Sequence, residues 1–164
     1  MSPTIEEIAD FMRAHELMLA TAESCTAGLI AATLADIPGA GQLLDCAFVT
    51  YSPDSKKRTL QVSGHTMAHN NLTSEPIARE MVLGAMRNSH ANVAISNTGI
   101  ADDTDDSIPP GTQCFAWAFA KADNRTDPYV FSETRQFSGD RNAIREASAR
   151  YALQRIPHYF DMIS

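Results

Sequence analysis

Apolar residues recur with two different periods along this chain, and the alternation between them predicts most of its elements. Thr4 and Glu7 have capping-box spacing, and Ile5, Ile8, Phe11 and Met12 then repeat at the helical interval up to about His15, which predicts a first helix. Leu17–Ala22 is a short apolar run that ends in Glu23-Ser24-Cys25-Thr26. Leu29, Ile30, Thr33 and Leu34 then resume helical spacing, so the stretch predicts strand, tight turn, helix. Pro38-Gly39-Ala40-Gly41 has turn chemistry, and Cys46–Tyr51 is a β-favouring run that stops at Ser52-Pro53. Serine followed by proline suits an N-cap and first helical position, which places Lys56 on the first turn or two of a short helix. The polar stretch from His65 to Asn71 predicts a loop. Thr73 or Ser74 can cap the next helix, whose core face is Ile77, Met81, Val82, Ala85 and Met86.

Val93–Ser96 predicts a short strand, followed by a long polar loop from Gly99 to Gly111 of a length that is usually functional or mobile. Thr112–Ala120 and Tyr129–Phe137 are strand-like, and the Asp- and Asn-containing connection Lys121–Asp127 makes them an antiparallel hairpin. Phe115, Trp117 and Phe119 alternate with small residues, so one face of that strand is aromatic and belongs to the core rather than to a base-stacking platform. A last helix starts near Asp140, carries Ile144, Ala147, Tyr151 and Ala152, and is expected to end at Pro157. Helices and strands that alternate and then give way to a hairpin predict an α/β fold, with helices on both faces of a mixed sheet.

Composition narrows the class of protein. At 164 residues and 44% hydrophobic content, the expectation is one globular domain spanning 1–164. A net charge of −7, with basic residues scattered rather than striped, argues against a nucleic-acid partner. Early acidic residues (Glu6, Glu7, Asp10) and the lack of any long apolar run argue against a signal peptide or membrane span, so a cytoplasmic protein is expected. Cys25, Cys46 and Cys114 have neither disulfide nor zinc spacing.

The Thr21–Gly28 segment sets small hydroxyls where a strand hands over to a helix, and Gly28 allows close backbone approach. Such a turn can present a nucleophile, with the N–H groups of Cys25 and Thr26 as candidate oxyanion donors. Ser24 or Thr26 can equally be the helix cap. A serine needs a base, and lysine is one recurrent partner, which makes Tyr51 and Lys56 candidates; a solvated helix face is the plainer role for Lys56 and Lys57. Cys25, near a helix start, is a minor rival nucleophile. Asp103, Asp105 and Ser107 have calcium-loop spacing, but Ile108 and Cys114 stand where glycine and glutamate are required. His65 and His69 lack the intervening glutamate of a zinc motif.

In order along the chain stand T-A-E-S-C-T-A-G, D-I-P-G-A-G, A-F-V-T-Y-S with Lys56, S-E-P-I-A-R-E-M, N-T-G-I-A and G-D-R-N-A-I-R. This series resembles the CinA C-terminal domain family over essentially the whole chain. The resemblance implies a three-layer α/β/α fold and hydrolysis of the carboxamide of nicotinamide mononucleotide to nicotinate mononucleotide and ammonia, with no metal or other cofactor. It matches Ser24 to the nucleophile and Tyr51 and Lys56 to its activators. It places Cys25, Thr26, Gly28, Thr98 and Gly99 at the substrate, and Arg141 and Arg145 near its phosphate. The separate N-terminal domain of longer family members is not expected here, and self-association is a family-level expectation of unspecified order.

Two stretches depart from the family. Asp102-Asp103-Thr104-Asp105-Asp106 replaces a glycine-containing continuation of T-G-I-A, and Asn71-Leu72-Thr73-Ser74 replaces G-A-V-S. Three functions therefore stay open: a nicotinamide mononucleotide deamidase, an amidase for a related pyridine amide without the phosphate, and a catalytically silent paralogue that binds a ligand or partner.

Overall fold

The structure, a computed structural model, describes residues 1–164. Five strands form one mixed sheet: β1 (Leu19–Glu23), β2 (Leu44–Val49), β3 (Val93–Gly99), β4 (Thr112–Phe119) and β5 (Tyr129–Gln136), in the order β2-β1-β3-β4-β5. β1 pairs in parallel with β2 on one side and with β3 on the other, and β3, β4 and β5 run antiparallel to one another. Seven helices cover the sheet: α1 (Ile5–Ala14), α2 (Leu29–Ala35), α3 (Pro53–Leu60), α4 (Gly64–His69), α5 (Glu75–Arg87), α6 (Arg141–Gln154) and α7 (Ile156–Ile163). A single 3-10 turn, Ala40–Gln42, precedes β2. No helix is long and apolar enough to cross a membrane.

The two faces of the sheet are built from different materials. On one, Leu19, Val93, Ile95, Phe115, Trp117 and Phe119 pack with α1, α2, α6 and α7, and the buried Trp117 indole donates to the Ala152 carbonyl at 2.8 Å. On the other, Ala20, Ala22, Ala94, Ala116 and Ala118 leave a shallow floor on which α5 lies. The Ser96 hydroxyl even reaches the Ala78 carbonyl at 2.6 Å. The period-two alternation of strand side chains produces this sorting, and the predicted helix stripes supply the matching covers.

The capping box at Thr4, the Ser52-Pro53 start of α3 and the antiparallel hairpin stand as the sequence predicts. Three local readings change. Gly64–His69 is helical rather than loop: Ser63 caps it through the Thr66 N–H at 2.9 Å, and Glu80 accepts the Ser63 N–H at 2.7 Å. Pro157 does not end the last helix; α6 stops at Gln154, and Pro157 sits in the first turn of α7, where a missing N–H costs nothing.

The third change concerns the cap of α2. Neither Ser24 nor Thr26 performs it; the N-cap is Gly28, in the left-handed region at φ 99°, with no side-chain bond of its own. Glu23, wholly buried, is the substitute. Its carboxylate accepts the N–H groups of Gly28 (3.0 Å), Ile30 (2.9 Å) and Ala31 (3.1 Å) and the hydroxyls of Thr21 (2.8 Å) and Thr26 (2.7 Å). An anion at a helix N-terminus is favoured by the unpaired donors and by the helix dipole together.

Glu23→Gln leaves one acceptor oxygen where two are used and sets an NH2 group against amide donors. A loss of about 2–4 kcal/mol in urea unfolding is expected; an unchanged midpoint would show that α2 holds without this cap. Gly84 lies where a Cβ would fall 2.3 Å from the Leu60 carbonyl oxygen. Gly84→Ala should therefore destabilise by about 1–3 kcal/mol, although in an open helix interior the same change stabilises by about 1 kcal/mol. A gain in stability would mean that the end of α3 is free to retreat.

Candidate active site

β1 hands the chain to β2 through α2 on the aromatic side, whereas β2 reaches β3 through α3, α4 and α5 on the alanine side. The strand order thus reverses at β1, and the carboxyl ends of β1, β2 and β3 part to leave a crevice, the usual ligand position in open α/β sheets. Ser24 follows β1 directly, Tyr51 follows β2, and Thr98 and Gly99 end β3. All four line one cavity of about 390 Å³, a size suited to a small organic ligand. Cys25, Lys56, Leu72, Thr73, Thr104 and Asp105 are among the other lining residues.

Lys56 lies under the crevice, 1% exposed, because the Ser52 cap starts α3 so that its fourth residue turns inward. Its Nζ donates to the Thr50 carbonyl at 2.7 Å, to Ser24 Oγ at 3.1 Å and to the Tyr51 carbonyl at 3.4 Å. Burial lowers its pKa to about 8, since a low-polarity surrounding disfavours the charged form. A neutral amine has two N–H donors and one lone pair. With the two carbonyls taking the donors, the lone pair is left for the Ser24 hydroxyl.

The turn that follows β1 is held by Asn97 and Arg145. The Ser24 N–H donates to the Asn97 carbonyl at 3.0 Å, and the Thr26 N–H to Asn97 Oδ1 at 3.1 Å. Asn97 in turn donates to Gln113 Oε1 at 2.8 Å. Arg145 reaches the Cys25 carbonyl through Nε at 2.9 Å and the Thr26 carbonyl through Nη2 at 3.3 Å. Ala27 completes the turn with φ at 49°, a left-handed conformation that costs a residue with a Cβ about 1–2 kcal/mol. Of the two N–H groups expected to face an oxyanion, that of Thr26 is thus occupied by Asn97. The Cys25 N–H has no acceptor within the chain, and Cys25 lines the cavity.

The sequence-derived residues divide into two sets. Ser24, Lys56, Tyr51, Cys25, Thr98 and Gly99 come together at the cavity. Thr26, Gly28 and Arg145 do not line it: they bind Glu23 or the turn's carbonyls and shape it from behind. Tyr51, 55% exposed, contributes its carbonyl to Lys56, while its hydroxyl accepts from Arg141 Nη2 at 3.2 Å rather than bonding to Ser24. Arg141 stands at the rim, joined to Asp102 Oδ2 at 2.5 Å. The Cys25 thiol is pushed up by burial, which outweighs the pull of Gln113, Arg141 and Arg145, so it is a poor rival to Ser24.

Glu23, Asn97 and Gln113 are site residues that pattern reading passed over. Their signal was a polar side chain inside or ending an otherwise apolar strand, a position that burial permits only with partners. The acidic stretch does reach the cavity, since Thr104 and Asp105 form part of its wall and Asp105 accepts from Asn71 at 2.8 Å. Asp105 Oδ1 accepts from Ser107, so that segment is a local turn rather than a converging ligand set. The rings of His65 and His69 lie tilted with centroids 4.2 Å apart on α4, with His69 Nδ1 on the His65 carbonyl. A wider cleft of about 700 Å³, whose lining includes His15, Lys121, Tyr129, Phe160 and Ile163, opens at the opposite end of the strands, near the β4–β5 connection, and holds no nucleophile–base pair.

Comparison with known proteins shows the family and the fold. The CinA C-terminal domain profile matches residues 1–160. The nicotinamide-nucleotide amidohydrolase PncC of Escherichia coli strain K12 is 36% identical over 157 residues, covering 94% of this chain and 92% of that protein. Its namesake from Enterobacter agglomerans is 40% identical over 150 residues, covering 90% and 88%. Among solved structures, the competence damage-inducible protein A (ComA) from Klebsiella pneumoniae superposes with a TM-score of 0.87 at 31% identity, covering 96% of this chain and 94% of that one. By profile, sequence and fold together, the chain belongs to the CinA C-terminal domain family.

Proposed function

We propose that this protein is an amidohydrolase that converts nicotinamide mononucleotide to nicotinate mononucleotide and ammonia through a Ser24–Lys56 pair. The observation that carries the reading is the buried Lys56 Nζ, 3.1 Å from Ser24 Oγ at the floor of a ligand-sized cavity. The substrate is suggested by the names of the relatives, both nicotinamide-nucleotide amidohydrolases.

In this reading the neutral Lys56 amine accepts the Ser24 proton as Oγ attacks the carboxamide carbon. The carbonyl oxygen becomes an oxyanion and takes the free Cys25 N–H. Lys56, now an ammonium, returns the proton to the departing nitrogen, and ammonia leaves behind an ester on Ser24. Water then attacks that ester with Lys56 again as proton acceptor, which releases the carboxylate and restores the serine. One amide and one water give one carboxylic acid and one ammonia, so the cycle closes without any further reactant. The Thr50 and Tyr51 carbonyls keep the amine aimed at Ser24 in both half-reactions, and they stabilise the ammonium between them.

Ammonia release from nicotinamide mononucleotide is expected from the wild-type protein and should fall about a thousandfold or more in Ser24→Ala and in Lys56→Met, with both variants folded. Release that persists in Ser24→Ala would remove the serine as nucleophile. No release from folded wild-type protein would point instead to another amide or to a ligand-binding paralogue. Because the base acts in its neutral form and its pKa is lowered to about 8, kcat/KM should climb with pH and level off above that value. The profile is best read above the substrate phosphate's own ionisation near ~6. A flat profile between neutrality and pH 9 would exclude Lys56 as the titrating base.

A further inference from the structure

On the nicotinamide-nucleotide reading above, few groups decide which ligand charge the cavity accepts. The charged residues in the cavity lining are Lys56 and Asp105, and both are engaged: Lys56 by Thr50, Tyr51 and Ser24, Asp105 by Asn71 and Ser107. The next cation outward is Arg141, at the N-terminal end of α6, whose guanidinium touches the hydroxyl of the lining residue Tyr51. It already holds an anion, because Asp102 Oδ2 lies 2.5 Å from its Nη1. Carboxylate and phosphate oxygens compete for the same guanidinium fork.

Asp102 is well placed to stay there. Its loop is tied at the base by the Gly111 N–H to the Ile100 carbonyl at 3.0 Å and by the Ile100 N–H to the Thr112 carbonyl at 3.0 Å, so the carboxylate is carried only two residues from a fixed point. The neighbouring Asp103 and Asp106 are exposed and their carboxylates have no bonded partner. One carboxylate of this stretch is thus directed at one cation, while the others add only diffuse negative potential.

We propose that Asp102 is a specificity-determining residue: an internal competitor that occupies Arg141 and must be displaced by the phosphate of a nucleotide ligand but not by a pyridine amide lacking one. Asp102 disfavours the phosphorylated ligand, and Arg141 remains a latent phosphate receptor behind it. A cationic pyridinium ring without a phosphate meets Asp105 in the lining and leaves the Asp102–Arg141 pair undisturbed.

Binding measured by calorimetry in the Ser24→Ala background separates this from catalysis, with nicotinamide mononucleotide and nicotinamide riboside as the two probes. Asp102→Asn should tighten the nucleotide relative to the riboside by about three- to tenfold. Adding Arg141→Ala should cancel that gain, and Asp106→Asn, which removes a charge without freeing a cation, should give less than half of it. An equal change for both probes, a gain that survives loss of Arg141, an equal gain from Asp106→Asn, or no nucleotide binding with or without Asp102 would each overturn the proposal. Ammonia release by protein with Ser24 intact tests the hydrolase reading separately, so a shifted binding ratio without turnover would refute only the latter.

Discussion

A helix that begins at the end of a buried strand brings unpaired N–H groups into the protein interior, and something must accept them. Here Glu23 does so, with five donors converging on its carboxylate. The rest of the site depends on that choice. A serine at such a turn ordinarily turns its hydroxyl back onto the helix as a cap. Because the residue before it already performs this task, Ser24 is left with its hydroxyl facing the crevice, in reach of Lys56. The same carboxylate fixes Thr26 and Gly28, and thereby the path of the backbone that leaves the Cys25 N–H unpaired. Structural and chemical roles are divided between adjacent residues, and the division makes the hydroxyl available.

Lys56 illustrates the opposite bargain. Burying an amine lowers its proton affinity, which suits a base, but a buried cation destabilises the fold while it remains charged. Near neutral pH about nine-tenths of a group with a pKa of about 8 is still protonated. The carbonyls of Thr50 and Tyr51 offset part of that cost by accepting from Nζ. They can do so because the chain leaves the sheet at Val49: beyond it the Thr50 N–H still bonds to Glu23, while the two carbonyls turn toward α3. The end of β2 is in this sense set by the lysine as much as by its own sequence.

Much of this was legible in the residues. Capping signals at Thr4 and Ser52 marked two helix starts, helical spacing placed a third near Asp140, and the period-two run at Phe115, Trp117 and Phe119 marked the aromatic face, because these signals act over a few neighbours. The Ser24–Lys56 pairing was legible only through the motif series. Thirty-two positions separate the two, and nothing local says that α3 tucks under β1. Glu23 as cap of α2 was hidden for a related reason: its bonds reach seven and eight residues ahead, past a turn whose left-handed Ala27 no propensity favours. The helix at Gly64–His69 was missed since it is short and its support comes from Glu80 on another element. Arg145 and Arg141, equivalent by spacing, were parted by what lies opposite them, a pair of carbonyls for one and an aspartate for the other.

The unequal thickness of the two covers gives the sheet two kinds of tolerance to inherited change. On the aromatic side, trimming a large side chain opens a void outside the cavity lining, and the loss is felt first as a lower amount of folded protein. On the alanine side there is no slack to draw on. Enlarging Ala22, Ala94 or Ala116 lifts α5, and with it the Leu72–Thr73 wall of the cavity, so the damage reaches binding while the fold still stands. One half of the molecule is thus exposed to selection through abundance and the other through selectivity.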